Sequence, residues 1–562
     1  MKFNEFKYER PDLEKITKNL QDLTSSLKKT KTFKEAKPII DQVSEIGSYY
    51  STMGTLCSIR NSIDTTDAFY EEETAFFDEN SPKYTNAINE YFKVLVALPY
   101  REDLEKAYTK QFFTLTEIQL KSFDPAIMEE LTEEAKLCTE YSKLMASAKI
   151  EFDGKINNLS QMTVYANHPD REIRKAAELK KVEFMESIEE KLDSIYDKLV
   201  TVRTQMAKKM GYENYVDFGY YRLGRSDYNS KDVAGYRKQV LESVVPVAKK
   251  IIENQAKRIG IKDFKSYDIP IFYSDGNPNH GKTKDELVLG AKEFYSNLSK
   301  ETKEFFTFMI EHDLMDLETK PGKAGGGYCT MIDAYKAPFI FSNFNGTMGD
   351  VDVLTHEAGH AFEVYTASKL LPVSDIYWPT LEACEIHSMS MEFFAYPYMD
   401  CFFEHDAKKY RYKHLSEAIT FIPYGVCVDE FQHYVYENPT ATPQMRKDKW
   451  HELEQKYTPW KDYDGISYYE RGCYWHRQGH IYSSAFYYID YTLAQVCAFQ
   501  FLLKDRENHE KAWKTYYDLC KLGGSKSFVE LLDSVGLENP FLQGSLNKIM
   551  PKLEKILKEL EV

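Results

Sequence analysis

The sequence predicts a mostly α-helical protein that contains one small β-sheet. From Asp12 to about Leu317, apolar residues return every three or four positions, as in DLEKITKNLQDLTSSLKK, which is the spacing of amphipathic helices. Between residues 320 and 352, six glycines separate two short runs with strand character. Helical spacing then returns after Asp352 and continues almost to the last residue. These three observations predict a helical frame with one local β element.

The first half of the chain reads as a series of helices without an internal repeat of fixed period, which argues against a solenoid. Its breaks fall at the segments ALPYRED, YANHPDREIRK and SDGNPNHGKTKDE. Pro169 and Asp170 in the second of these segments are expected to open a helix. The two strand-like runs that follow are YCTMI and PFIFSNF, and the second is rich in aromatic and β-branched residues.

The composition is that of a globular protein, since 43% of the 562 residues are hydrophobic and 28% are charged. The net charge is −16 without a basic run, which predicts that the chain binds neither nucleic acid nor an acidic membrane surface. The nine cysteines are scattered without a C-x-x-C pair, as in a reducing compartment. No apolar run has membrane-spanning length, and the first residues lack the apolar region of a secretory signal. A soluble, cytoplasmic protein is predicted.

The segment VLTHEAGHAF, residues 353–362, contains the pattern H-E-x-x-H. On a helix, His356 and His360 project from one face and can share a metal ion, while Glu357 points beside them towards a water. A borderline cation such as Zn²⁺ accepts two imidazole nitrogens and needs a third protein ligand. Nine of the 13 histidines lie between His356 and His480, a concentration that supports a metal site in this part of the chain.

The third ligand is expected on the next predicted helix, in the segment TLEACEIHSMSMEFF. Its acids Glu382, Glu385 and Glu392 share one helical face by their spacing. A stripe of acids among methionines and phenylalanines is costly to bury unless a cation faces it. We assign Glu385 as the third ligand, and Glu392 and Asp352 as acids that could orient a ligand imidazole. The alternative is a solvated acidic face.

At these residues the sequence resembles the zinc peptidases of the thimet oligopeptidase type, and within them the oligoendopeptidase F and Pz-peptidase branch. The resemblance rests on the total length and on three blocks, PFIFSNFNGTMGDVDVLTHEAGHAF (338–362), EIHSMSMEFF (385–394) and RGCYWHRQGHIYSSAFYYIDYTLAQVCAFQF (471–501). It implies one Zn²⁺ per chain, held by His356, His360 and Glu385. The assignment of Glu385 from spacing and from resemblance is therefore the same.

The resemblance also implies two helical lobes that enclose a deep substrate channel. We place the N-terminal helical lobe in residues 1–199 and the catalytic zinc-peptidase region in residues 200–562. The channel of the family implies short, unstructured peptides as substrates.

In the block of residues 471–501, called the late block below, the resemblance implies that a histidine and several tyrosines hold the substrate carbonyl and the transition state. His480 is the matching histidine. We select Tyr488 and Tyr491 as catalytic tyrosines, because they are three residues apart and share a helical face. Tyr487 is assigned to substrate binding.

Together with the resemblance, these residues predict a zinc endopeptidase that hydrolyses internal bonds of short peptides. Zn²⁺ would activate a water, Glu357 would act as the general base, and His480 with a tyrosine would stabilise the oxyanion. The run PFIFSNF, which contains Phe341 and Asn343, is expected to bind substrate as an exposed sheet edge that pairs with an extended peptide.

Two other functions fit part of the pattern. A zinc carboxypeptidase or dipeptidyl carboxypeptidase would have to bind a terminal carboxylate, for which the late block offers Arg471 and Arg477. A non-catalytic peptide-binding helical protein would predict a broken motif, whereas all the assigned ligands are present. The sequence leaves the oligomeric state open between a monomer and a small homo-oligomer.

Overall fold

The computed structural model describes residues 1–320 and 322–561. Within residues 1–320 the α-helices are α1 (Leu13–Leu27), α2 (Phe33–Ile63), α3 (Ala68–Val96), α4 (Arg101–Tyr108), α5 (Lys110–Ser122), α6 (Met128–Ala146), α7 (Leu159–Ala166), α8 (Arg171–Lys209), α9 (Tyr215–Arg222), α10 (Ser230–Ser243), α11 (Val245–Arg258), α12 (Lys284–Leu298) and α13 (Lys300–Glu311). A short antiparallel hairpin of β1 (Ile150–Phe152) and β2 (Lys155–Asn157) connects α6 to α7.

The second half contains a three-stranded sheet and then helices again. The strands are β3 (Met315–Glu318), β4 (Tyr328–Ile332) and β5 (Ala337–Phe344). The helices that follow are α14 (Gly349–Ala367), α15 (Leu381–Phe394), α16 (Asp400–Phe403), α17 (Ala407–Glu437), α18 (Pro443–Tyr457), α19 (Ser467–Glu470), α20 (Gly479–Ser483), α21 (Tyr488–Glu507), α22 (His509–Leu522), α23 (Phe528–Ser534) and α24 (Ser545–Leu560). The predicted mostly α class with a small sheet beside the H-E-x-x-H helix is confirmed.

The helix predicted at Pro169 and Asp170 forms as the long α8. The Asp170 carboxylate caps it by accepting a hydrogen bond of 2.9 Å from the backbone N–H of Glu172. Because α8 is continuous to Lys209, the predicted boundary between residues 199 and 200 falls inside a helix. That division of the chain stays a prediction.

The apolar interior is divided unevenly. Helices α1 to α5 enclose a core of their own, with Leu20, Leu95 and Phe113 fully buried. The larger core joins α8, the three-stranded sheet and the helices α14, α15, α17 and α21. The site described below lies on this larger core, whose burial fixes the helices that carry it. Among the residues that the structure describes, no helix combines the length and the apolar character needed to cross a membrane.

The order of the strands corrects one expectation from the sequence. The sheet runs β3-β5-β4, so β5, which is the run PFIFSNF, is the central strand and both of its edges are already paired. It is parallel to β3 and antiparallel to β4. The expectation that this run forms an exposed edge is therefore wrong. Strand β4 lies at one side of the sheet, next to α14. Within the described residues, no further strand pairs with its outer edge.

Backbone directions show which residues of β4 face that outer edge. The Ile340 N–H donates to the Leu314 carbonyl at 3.0 Å, on the β3 side of β5. Ile340 is paired in register with Cys329, so this pair is not hydrogen-bonded across β4 and β5. The backbone N–H and C=O of Cys329 consequently point outward from the sheet.

Helices α14 and α15 cross at very short distance, and Gly359 makes this possible. A Cβ atom at Gly359 would lie 2.7 Å from both the His387 carbonyl oxygen and the Ser388 Cα. Only glycine leaves room for this approach. The second variable position of H-E-x-x-H therefore serves helix packing, and the close crossing brings Glu385 of α15 to the histidines of α14.

Candidate active site

Three side chains converge where α14 and α15 cross. The Glu385 Oε2 lies 3.2 Å from His356 Nε2 and 3.4 Å from His360 Nε2. One donor atom from each of the three residues falls within 4.8 Å of the others, which is close enough for all of them to hold one metal ion. The three residues assigned as ligands from the sequence are thus brought together on two adjacent helices.

At this cluster, burial and the neighbouring charges shift the pKa values of the side chains in opposite directions. Burial disfavours the charged form of His356, but its hydrogen bonds to Glu385 and Glu392 raise the pKa of the imidazole well above its usual range. Burial likewise disfavours the Glu385 carboxylate, yet the neighbouring His360 and His356 hold its pKa well below the usual range. The carboxylate is thus ionised, and the cluster presents a negative oxygen between two imidazoles.

Glu392 orients one of these imidazoles. Its Oε1 lies 2.6 Å from His356 Nδ1, and its Oε2 lies 2.7 Å from His414 Nε2. The Tyr396 hydroxyl is 2.8 Å from the other nitrogen of His414. Glu392 was expected to contact a ligand imidazole from its helical face, whereas His414 and Tyr396 have no local sequence signal beyond the concentration of histidines.

Asp352, the other acid proposed to orient an imidazole, has a different partner. Its carboxylate accepts a hydrogen bond from the Tyr410 hydroxyl, and burial raises its pKa to about 6. Within the described residues it makes no hydrogen bond to His356 or His360. It lies one helical turn before His356 and lines the same cavity as Glu392 and His414.

Glu357 faces the gap between α14 and the glycine loop, which is the segment of residues 322–327 before β4. Its side chain is only 7% exposed, and burial raises its pKa. A Cβ at Gly327 would lie 3.7 Å from Glu357 Oε1 and 3.2 Å from Val353 Cγ1, so the loop passes close to this carboxylate. Asn343 holds the loop in place by donating to the carbonyl oxygens of Ala324 at 2.8 Å and Gly326 at 2.9 Å.

Phe341 and Asn343, both proposed to bind substrate, act on the loop and sheet in this conformation. Phe341 is fully buried and stacks on Tyr328 with 4.9 Å between the ring centres. The Asn343 amide is occupied by the loop carbonyls. Their effect on a bound peptide would be indirect, through the position of Gly327 and β4.

The late block places one histidine and three tyrosines opposite the cluster. The Tyr487 hydroxyl donates to Glu385 Oε1 at 2.7 Å, and the Tyr491 hydroxyl lies 3.4 Å from His480 Nε2. Tyr488 packs edge-on to His480 with 5.1 Å between ring centres. Of the three tyrosines, Tyr487 therefore makes the direct contact with an assigned metal ligand.

Gln478 determines which nitrogen of His480 carries the proton. Its Oε1 accepts from the Tyr424 hydroxyl at 2.9 Å, which directs its amide nitrogen to His480 Nδ1, also at 2.9 Å. Nδ1 is then an acceptor and Nε2 carries the ring proton. Burial lowers the pKa of His480, so the ring is neutral. A cavity of about 380 Å³ opens in front of this ring and is lined also by Glu392, His414 and Tyr491.

Comparison with known families decides the class of the protein. The family Peptidase M3 matches residues 164–551, and the Peptidase M3 N-terminal domain matches residues 3–123. The chain belongs to peptidase family M3. It is therefore an enzyme, a hydrolase of the metalloprotease class.

Relatives of this M3 peptidase share most of its length. It is 22% identical to oligopeptidase PepF of Bacillus subtilis (strain 168) over 94% of this chain and 80% of the relative. It is 24% identical to an oligoendopeptidase F homolog of Borreliella burgdorferi over 75% of this chain and 72% of the relative. The solved structure of Pz peptidase A with an inhibitor is 50% identical, covers 100% of both chains and has a TM-score of 0.97. Oligoendopeptidase-F from Enterococcus faecium, at 15% identity over 98% and 97% of the chains, shares the fold with a TM-score of 0.66.

In the M3 peptidase, the positions of Tyr487, Tyr488 and Tyr491 depend on a residue that the sequence analysis did not identify. Phe486, directly before Tyr487, has a φ of 68°, a left-handed conformation that side chains rarely adopt. Gln432 accepts its N–H at 2.9 Å, and Arg225 donates to its carbonyl oxygen at 2.5 Å. Its ring fills the space above Gly219, where a Cβ would lie 2.9 Å away. These distant contacts fix the direction in which α21 begins and have no local pattern in the sequence.

Proposed function

We propose that this M3 peptidase is a zinc-dependent endopeptidase that hydrolyses internal bonds of short, unstructured peptides. The observation that carries the proposal is the convergence of His356, His360 and Glu385 beside Glu357. The names of the relatives, oligopeptidase and oligoendopeptidase, support the substrate class. Peptide partners follow from this function, while a cytoplasmic location, the lack of nucleic-acid and membrane partners and the oligomeric state stay predictions.

The donor set fits Zn²⁺. Two imidazole nitrogens and one carboxylate oxygen are the ligands of a catalytic zinc site that keeps one position open. The outer nitrogen of His356 is engaged by Glu392, as is usual for a histidine that ligates a metal. When bound here, Zn²⁺ supplies a Lewis acid that polarises a carbonyl group and makes a water more acidic.

Glu357 is the general base in this proposal. Its carboxylate lies one residue after His356 and faces the gap beside Gly327, and its raised pKa makes it a better proton acceptor than an exposed glutamate. It takes a proton from the attacking water and then delivers it to the leaving amine. General base catalysis of this kind contributes about 10²–10⁴-fold in rate.

His480 and Tyr491 are the proposed donors to the oxyanion. A neutral His480 with its proton on Nε2 presents an N–H beside the Tyr491 hydroxyl, and both side chains line the cavity that Glu392 and His414 also line. Loss of one such donor commonly lowers the rate by about 10²–10³-fold. Tyr487 holds the Glu385 carboxylate in place through its hydroxyl.

The outer edge of β4 is the proposed docking strand for the peptide main chain. The backbone groups of Cys329 point outward, and Gly327 at the start of this edge lies close to Glu357. Pairing with the main chain suits substrates of varied sequence, because backbone groups are common to all peptides.

The test is metal analysis combined with a cleavage map of a peptide blocked at both ends. The wild-type enzyme is expected to bind about one zinc per chain and to cut the blocked peptide internally. Glu357→Gln should retain the zinc and lose at least about 10²-fold in turnover. Wild-type turnover in that variant would refute the role of Glu357. A blocked peptide left intact while a free peptide is trimmed at its end would favour the carboxypeptidase alternative.

A further inference from the structure

A second cavity adjoins the cleft in front of His480. It has a volume of about 470 Å³ and shares Asp352 and Glu417 with the wall of the first cavity. The N-terminal end of α14, at Gly349, forms part of its wall. The two cavities are therefore neighbours on either side of Asp352 and Glu417.

Five cationic side chains line this second cavity, and four of them have a carboxylate partner. Arg174 pairs with Asp268 at 2.7 Å, Lys181 with Glu178 at 2.5 Å, Lys461 with Glu454 at 3.1 Å, and Lys413 with Glu417. Within residues 1–320 and 322–561, the remaining cation, Arg477, makes no ion pair and donates no hydrogen bond. Its guanidinium carbon lies 4.6 Å from the centre of the Tyr474 ring, a stacking contact that leaves the N–H groups free.

The acids of the cavity wall are already engaged. Glu178 binds Lys181 and accepts from Tyr469, Glu417 binds Lys413, and Asp352 accepts from Tyr410. A guanidinium carries five N–H donors in a planar fork that matches a carboxylate. Arg477 therefore offers the unmatched positive charge of this cavity, and it lies three residues before His480 in the chain.

We propose that Arg477 binds a carboxylate group of the peptide substrate in the second cavity. The carboxylate is either the C-terminal group or an acidic side chain, since both have the same chemistry. The inference rests on the proposed function in that the ligand is a peptide. It adds a specificity determinant to an endopeptidase, in which the carboxylate is held away from the cleaved bond and the metal ligands.

The experiment measures binding with two matched pairs of short peptides. The first pair has neutral side chains and ends in either a free carboxylate or an amide. The second pair is amidated and carries either Glu or Gln at one internal position. Fluorescence anisotropy with the zinc-loaded Glu357→Gln protein gives the affinity of the intact peptides.

We expect the carboxylate member of at least one pair to bind about 10-fold or more tightly, as for a hydrogen bond to a charged group. The pair that shows the difference identifies the source of the carboxylate. A further Arg477→Gln change should reduce the ratio to about one, and Arg477→Lys should retain part of it, because lysine keeps the charge without the fork. If the Arg477→Gln variant is poorly folded, the ratio of affinities measured with Arg477→Lys tests the proposal instead.

Arg471→Gln is the matched control. Arg471 lies in the same block and is exposed, as Arg477 is, but its guanidinium is engaged by Glu189 at 2.8 Å and it lies outside the residues that line the cavity. This variant should keep the wild-type preference. The inference fails if neither pair is discriminated, or if the preference survives Arg477→Gln. Because affinity is read without turnover, a failure of internal cleavage would refute the proposed function without changing what the binding ratios say about Arg477.

Discussion

At the scale of single residues, Glu392 shows how one carboxylate can fix two imidazoles. Each of its oxygens bonds a different histidine, His356 at 2.6 Å and His414 at 2.7 Å. With its Nδ1 held by the carboxylate, His356 is left with Nε2 as the nitrogen that faces Glu385. The orientation of the ligand is therefore set before a metal binds.

Glu392→Gln is expected to weaken zinc binding by about 10–100-fold, because the amide loses the charge that holds the His356 ring. Competition with a chelator of known affinity measures the change. Asp352→Asn is the control, since its carboxylate bonds Tyr410 and no assigned ligand. Equal losses in the two variants would contradict the positioning role of Glu392.

The tyrosines mark the limit of prediction for single residues. The spacing of Tyr488 and Tyr491 predicts a shared helical face, but the hydroxyl that contacts Glu385 belongs to Tyr487. Helix α21 begins only at Tyr488, after the left-handed Phe486 has redirected the chain. Because contacts with Arg225 and Gln432, far away in the sequence, fix that turn, spacing alone could not show that Tyr487 contacts Glu385. The choice of Tyr488 and Tyr491 as catalytic tyrosines stays a prediction.

At the scale of secondary-structure elements, the crossing of α14 and α15 assembles the metal ligands. Gly359 lies at the contact point, where the opposing backbone leaves no space for a side chain. The pattern H-E-x-x-H specifies two ligands on one helix. The distance of the third ligand is set by this glycine.

Gly359→Ala is expected to destabilise the protein by about 1–3 kcal/mol, because the added methyl group must separate two packed backbones. The same separation moves Glu385 away from the histidines and should lower zinc affinity. Urea unfolding and metal analysis measure the two effects. Gly235→Ala in α10 is the matched control, since a Cβ there meets no atom of the described residues within 4 Å. It should leave zinc binding unchanged and stability equal or higher. Normal zinc affinity in Gly359→Ala would contradict this account.

The sheet shows why elements were only partly predictable. The β-branched and aromatic residues of YCTMI and PFIFSNF predict β4 and β5 correctly. Strand β3 consists of the four residues MDLE and overlaps the end of the stretch that is predicted to be helical up to about Leu317, so the helical prediction is wrong there and the strand has no signal of its own. Its parallel pairing with β5 is non-local, and it is this pairing that makes β5 central.

At the scale of the whole molecule, buried charges join parts of the chain that are distant in sequence. Arg203 of α8 bonds Glu134 at 2.6 Å and the Tyr436 hydroxyl at 2.7 Å, and it also donates to the Tyr482 carbonyl. The first partner lies in α6 and the others lie more than 200 residues further along. Local patterns predict the helices that carry these residues, whereas the pairing of the charges depends on the tertiary fold.

Zinc is expected to stabilise the whole molecule, because its proposed ligands come from two helices of the larger core. A ligand that binds only the folded state at 100 times its Kd adds about 2.7 kcal/mol to the free energy of unfolding. Thermal unfolding of metal-free protein with increasing zinc should show a rising Tm. Glu385→Ala should remove the dependence, whereas Glu382→Ala, on the same face but without contact to the histidines, should retain it. If the Tm of Glu385→Ala still rose with zinc concentration, zinc would have to bind at other residues.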